Sequence, residues 1–155
     1  MVVGWSDSVV IWLSTLLVTC SPDTGPNHSL THSSSSPTPQ VPGKIQHVIS
    51  TGNLTSRDTY DYLRHLASDV TVVKGEFDEN ASFPDHKVVT VGNFNIGVVH
   101  GHAVVPWGDH EALAALQRKL DVDVLISGHT HSQKHFELDG KLFVNPGSIT
   151  GAFST

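Results

Sequence analysis

The chain has 155 residues, 38% of them hydrophobic, with a formal net charge of −6 and a single cysteine, Cys20. That is one domain's worth of sequence with enough apolar residues for a core, and the lone cysteine excludes an internal disulfide. The acidic balance weighs against nucleic acid or an anionic membrane surface as a direct partner, and the whole composition reads as soluble and intracellular.

The first forty residues differ in character from the rest. Residues 9–18 are a short apolar stretch, too short to span a bilayer. Residues 21–42 are then dominated by Ser, Thr, Pro, Asn and Gly, a composition that cannot bury enough apolar surface to offset the entropy of ordering. A secretory leader is one reading of the apolar stretch. Against it, no Lys or Arg precedes the stretch, Asp7 stands where positive charge belongs, and the first basic residue of the chain is Lys44. Residues 1–40 are therefore read as an unrelated, mostly disordered segment, and 41–155 as the folded unit.

From Val41 onward strand and helix patterns alternate. Residues 45–50 read as a strand. Ser56 is placed to cap a helix reaching about residue 67, which would bury Tyr60, Leu63, Leu66 and Ala67 while Arg57, Asp61 and His65 face water. Residues 70–73 form the next strand. Residues 87–91 and 94–99 make a hairpin around Gly92-Asn93, a dipeptide suited to a tight turn. Asp109 opens a second helix with the apolar stripe Ala112, Leu113, Leu116 and Leu120. A strand over 122–126 follows, then a hairpin of 135–138 against 142–145 turning at Asp139-Gly140. No internal repeat is evident.

Four of the apolar runs end in glycine beside a residue that can bind a metal: Gly52-Asn53, Gly75-Glu76, His100-Gly101-His102 and Gly128-His129-Thr130-His131. Continuous Val/Ile/Leu runs are the mark of buried parallel strands, and a glycine at the strand end lets the next side chain point into a crevice at the sheet's carboxyl edge. Of the 11 histidines, six (His100, His102, His110, His129, His131 and His135) fall between positions 100 and 135. In an extended segment, side chains two apart share a face, so His129 with His131, and His100 with His102, are each expected to address one site. A single His-x-His occurs on many inert surfaces, whereas two of them at strand ends beside glycine point to a metal. Imidazole mixed with carboxylate and amide oxygen favours Zn²⁺, Mn²⁺ or Fe²⁺ over Ca²⁺. Just after His102, the tract Ala103-Val104-Val105-Pro106-Trp107 is apolar where an exposed loop is expected. It is either a partner-binding patch or a segment whose Val104 and Trp107 tuck under the following helix.

Thr51-Gly52-Asn53, Gly75-Glu76-Phe77-Asp78, His100-Gly101-His102, Gly128-His129-Thr130-His131 and Asn145-Pro146-Gly147-Ser148 together resemble the successive motifs of the calcineurin-like metallophosphoesterases. With Val41-Pro42-Gly43-Lys44-Ile45-Gln46-His47, Tyr60-Asp61-Tyr62-Leu63, Phe77-Asp78-Glu79-Asn80, Val105-Pro106-Trp107-Gly108-Asp109 and Asp121-Val122-Asp123, the chain is similar in particular to the retromer-subunit branch with this fold. The resemblance runs from about residue 41 to 153. It implies an α/β fold, an αββα sandwich incomplete here for want of the first strand and the C-terminal strands, which would leave exposed sheet edges.

The resemblance also implies a two-cation site, with Asn53 at the bridge, Glu76, His100 and His129 on one metal and His131 on the other. Four departures follow. The bridge is a neutral amide, Glu76 stands where the branch has aspartate, and Phe77 stands where the catalytic enzymes have the histidine that protonates the leaving oxygen. The Asp-x-His that supplies the first metal is not found before Val41. The implied protein is a non-catalytic scaffold of retromer in endosomal sorting that holds at most one weakly bound ion, Zn²⁺ or Mn²⁺. It would dock the face bearing Val104, Val105, Pro106 and Trp107 on the large α-solenoid subunit and reach the endosomal membrane only through the complex. The alternative is a metal-dependent phosphodiesterase.

Overall fold

The structure, a computed structural model, describes residues 9–13, 16–19, 45–78 and 82–147. Its elements in chain order are β1 (Val9–Leu13), β2 (Leu16–Thr19), β3 (Ile45–Ser50), α1 (Arg57–Leu66), β4 (Ala67–Val72), β5 (His86–Val91), β6 (Phe94–Val99), α2 (His110–Leu120), β7 (Val124–Ser127), β8 (Lys134–Leu138) and β9 (Lys141–Asn145). They form two sheets, ordered β2-β1-β3-β4 and β5-β6-β7-β9-β8. The inner pairs β1/β3, β3/β4, β6/β7 and β7/β9 are parallel, and the hairpins β1/β2, β5/β6 and β8/β9 are antiparallel.

The four-layer order follows from the two-residue period of a strand. On β3, Val48 faces α1 and packs with Leu63, Leu66 and Val72, while its neighbour Ile49 faces the other way to pack with Val73, Ile96, Val98 and Ile126. On β6 and β7, Val98 and Ile126 point to that inter-sheet core. Their neighbours Val99 and Leu125 point outward to Leu113, Ala114 and Phe143 beneath α2. The layers therefore run α1, first sheet, second sheet, α2, the αββα order that the family resemblance implies. Leu63 is fully buried, and a leucine so placed contributes about 1.5–3 kcal/mol.

The helix boundaries follow their caps. Ser56 Oγ accepts the Thr59 amide at 3.2 Å and starts α1, and an Asp109 carboxylate oxygen accepts the Ala112 amide at 2.9 Å and starts α2. Helix α1 runs straight into β4, so that strand begins at Ala67 rather than 70. Strand β7 begins at Val124 rather than 122 because Asp121 adopts φ +51 to end α2 and Val122 is still tied to that helix end, its amide donating to Gln117 O at 3.4 Å. Tyr60 is only half-buried, packed against Phe83 at a ring separation of 5.6 Å. On α2, Leu113, Ala114 and Gln117 are the buried positions, with Leu116 and Leu120 at the margin of the same core.

The sequence reads residues 1–40 as a mostly disordered segment, and the first strand of the fold as missing. Instead β1 lies parallel to β3, with Val9, Val10 and Ile11 opposite His47, Val48 and Ile49, and β2 pairs on its far side. The physical reason is in the run Val9-Val10-Ile11-Trp12-Leu13: a continuous apolar run, mostly β-branched and aromatic, suits an inner parallel strand. The Ser/Thr/Pro-rich stretch 21–42 and the final residues 148–155 lie outside the described residues.

Candidate metal centre

Four loops meet at the carboxyl edge of the two sheets, where a crevice forms outside the strand ends. They follow β3 (residues 51–55), β4 (73–78), β6 (100–109) and β7 (128–133). The first two are in backbone contact. A Cβ on Gly52, whose φ is +101°, would lie 2.4 Å from the Gly75 amide nitrogen, and one on Gly75 would lie 2.0 Å from Asn53 Oδ1. Only glycine allows both the conformation and the approach.

Asp78 locks these two loops. Its carboxylate accepts the Asn53 amide at 2.7 Å, the Gly75 amide at 2.9 Å and the Thr55 amide at 3.1 Å. Asn53 and Thr55 hold φ of +58° and +56°, and for the β-branched Thr55 this is strained backbone. The three charge-assisted bonds to Asp78 offset that strain. Sequence reasoning included Asp78 in a motif and gave it no role. Three donors converging from two loops are visible only in the folded chain.

Glu76, His100 and His129 come together: one ligand atom from each lies within 4.8 Å of the others. Glu76 Oε2 is 3.6 Å from His129 Nδ1, so the longer glutamate reaches the cluster. His100 is 1% exposed. Its Nδ1–H donates to the Thr51 carbonyl at 2.7 Å, which leaves Nε2 with its lone pair directed at the cluster, the tautomer a metal requires. Burial pushes the His100 imidazole below its ordinary range, partly opposed by the Thr51 carbonyl, with the neighbouring His102 and His129 adding to the depression. Burial also lowers His129, against the pull of the Glu76 carboxylate. Both rings therefore stay neutral, ligand-competent bases near neutral pH.

The remaining expected residues stand differently. Asn53 turns its Oδ1 to accept the Phe77 amide at 3.1 Å and sets its Nδ2 3.4 Å from His100 Nε2, so that as placed it offers the site an N–H and not a lone pair. The segments holding the two His-x-His pairs are not extended. His129 and His131 hold φ of +71° and +54°, and Gly101 holds +102°. Each pair is split, with His129 and His100 in the triad and His131 and His102 outside it. His131 is still close enough to depress His129. Phe77 is 66% exposed beside Glu76 and has no proton to give.

The apolar tract divides too. Val104 packs against the core under α2, while Val105 and Trp107 are 74% and 60% exposed and Pro106 is exposed with them. Trp107 joins patch to site. Its Nε1–H donates to the His102 carbonyl at 3.3 Å, and its ring meets the His129 ring edge-on with centroids 4.5 Å apart.

The donor set fits one divalent ion: a carboxylate and two imidazoles, one with its tautomer set by a backbone carbonyl. Among the described residues it is the only such cluster. No helix among them is long and apolar enough to cross a membrane.

The chain matches the family model of the calcineurin-like phosphoesterase superfamily domain over residues 28–155. It is 50% identical over 112 residues to vacuolar protein sorting-associated protein 29 of Schizosaccharomyces pombe, a match covering 72% of this chain and 60% of that protein. The crystal structure of wild-type Vps29 from Entamoeba histolytica complexed with Zn²⁺ superposes with a TM-score of 0.73 at 47% identity, covering 94% of this chain and 77% of that one. That of Chaetomium thermophilum Vps29 does so with a TM-score of 0.69 at 45% identity, covering 75% and 63%. The chain thus spans about 60% of the length of the curated relative.

Proposed function

We propose, for a chain that belongs to the Vps29 family of the calcineurin-like phosphoesterase superfamily, that it is a non-catalytic scaffold component of retromer in endosomal protein sorting. The observation that carries this reading is the juxtaposition of an exposed apolar tract, Val105–Pro106–Trp107, with a metal-type site, and the family resemblance supports it by placing Phe77 where the catalytic enzymes have their general acid. An exposed apolar patch of this kind marks a partner surface. The partner we assign to it is the large α-solenoid subunit of retromer, and the protein would sit in the cytoplasm, peripheral to the endosomal membrane through that complex.

Glu76, His100 and His129 would hold one Zn²⁺ or Mn²⁺, and the resemblance adds His131 and Asn53 toward a second position with too few donors to retain an ion. A bound ion supplies Lewis-acid polarisation of an oxygen ligand. The chain's own contribution is to orient the His100 ring through its hydrogen bond to Thr51 and to set the Trp107 ring against His129, with Phe77 next to Glu76 along the chain. Neither Phe77 nor Trp107 can protonate a leaving alkoxide. The rival reading, a metal-dependent phosphodiesterase, draws on the triad itself. Turnover of a chromogenic phosphodiester with Mn²⁺, abolished by His129→Ala, would favour it over ours.

The test of the docking role is a pull-down with the purified solenoid subunit. The expected result is capture of the wild-type chain and loss of capture with Val105→Asp, whose circular dichroism stays that of the wild type. Retained capture by Val105→Asp, or none by the wild type, overturns the assignment.

A further inference from the structure

The triad supplies three donors, one short of a tetrahedral shell. Asn53 turns an N–H toward His100 Nε2 and not a lone pair, and a further imidazole beside the triad is that of His102, to which the family resemblance assigns no role. Its Nδ1 is buried with no hydrogen-bond partner among the described residues, and buried polar nitrogens in native proteins are nearly always satisfied. Its ring centroid lies 5.2 Å from that of His100 and 6.4 Å from that of His129, and the His100 and His129 centroids are 5.4 Å apart. Imidazole nitrogens held at about 2.0–2.1 Å around a tetrahedral ion put ring centroids about 5 Å apart. Two of the three spacings already match, and the third is wide by roughly 1 Å.

The backbone explains why His102 is there. Gly101 at φ +102° folds the chain back so that both rings lie on one side, and a Cβ at that position would stand 3.0 Å from the Gly128 carbonyl oxygen. The Trp107 Nε1–H holds the His102 carbonyl, so that the remaining distance would be closed by rotation about the side-chain torsions and not by movement of the backbone. His102 lies outside the group whose donors are within 4.8 Å of one another, so the ring must turn inward on binding.

We propose that His102 is the fourth protein ligand of a mononuclear Glu76–His100–His102–His129 centre that takes a borderline divalent cation such as Zn²⁺ or Co²⁺. The inference rests on the single-ion reading above and deepens it. Four protein donors leave no open position for a metal-bound water, which makes the centre a structural one.

Co²⁺ titrated into the purified chain reads the coordination directly. The wild type is expected to give the intense visible d–d bands of tetrahedral cobalt, His102→Gln a weak higher-coordinate spectrum with affinity lowered at least about tenfold. In His102→Cys a thiolate-to-cobalt charge-transfer band absent from the wild type should appear in the near ultraviolet. An unchanged spectrum and affinity in His102→Gln, or no charge-transfer band in a folded His102→Cys that binds cobalt, overturns the role of His102 while leaving the single-ion reading intact. Absence of cobalt binding by the wild type overturns both.

Discussion

The Trp107 indole meets the His129 imidazole edge-on, centroids 4.5 Å apart, so that one side chain is at once part of an exposed apolar tract and a wall of the metal-type site. Occupancy of the site is therefore readable from the patch. Binding of Co²⁺ is expected to quench Trp107 emission, and Trp107→Phe to abolish the quenching while Co²⁺ affinity measured by calorimetry stays within a few-fold. Quenching that survives the substitution would have to come from another tryptophan and would refute the link.

Asp78 gathers three backbone amides from two loops and is 7% exposed. Asp78→Ala leaves those donors unsatisfied, with an expected loss of about 2–4 kcal/mol in chemical denaturation. Because Asn53 and Glu76 ride on the loops it ties, metal affinity is expected to fall with it. A loss below about 1 kcal/mol would mean that the glycine contact alone holds the loops together.

The contact itself is tested at Gly75, where a Cβ would run into Asn53 Oδ1 and the Asn53 amide nitrogen, 2.0 and 2.4 Å away. Gly75→Ala cannot be absorbed by a side-chain rotation alone because backbone stands in the way. The loops must separate, at an expected cost of about 1–3 kcal/mol, with the Glu76–His129 approach lost. Unchanged stability and metal affinity would contradict the observed packing.

His100 gives the pH dependence. Its folded-state pKa lies below the ordinary 6.5 because burial disfavours the charged ring. The unfolded chain therefore binds more protons as pH falls through 6.5. The contribution to stability is full above that value and is progressively lost below it, down to the folded pKa. In the presence of a chelator the melting temperature is expected to drop between about pH 7 and pH 5, with a shallower slope for His100→Asn. An identical slope in the variant would assign the drop to other groups.

Much of this was legible along the chain because it depends on periodicity and local chemistry. The 2-residue alternation that sends Val48 to one helix and Ile49 to the inter-sheet core, the Ser56 and Asp109 caps, and the two-residue hairpin turns are short-range properties, and the motif residues Glu76, His100 and His129 stand in the sequence as plainly as in the fold. What stayed hidden depends on contacts distant in sequence. The strand at Val9–Leu13 finds its inner place in the sheet through pairing with β3, more than thirty positions on.

The selection within the motifs was likewise a tertiary decision. Extended geometry would have paired His129 with His131 and His100 with His102. Left-handed backbone at His129 and His131, and the turn at Gly101, leave one member of each pair, His129 and His100, within ligand distance of Glu76. Sequence alone determined which residue types could bind a metal. Which lone pairs converge was decided by loops that only close packing of glycine on glycine and the Asp78 clamp bring within reach, because φ values and through-space distances are set by the whole fold and not by neighbours along the chain.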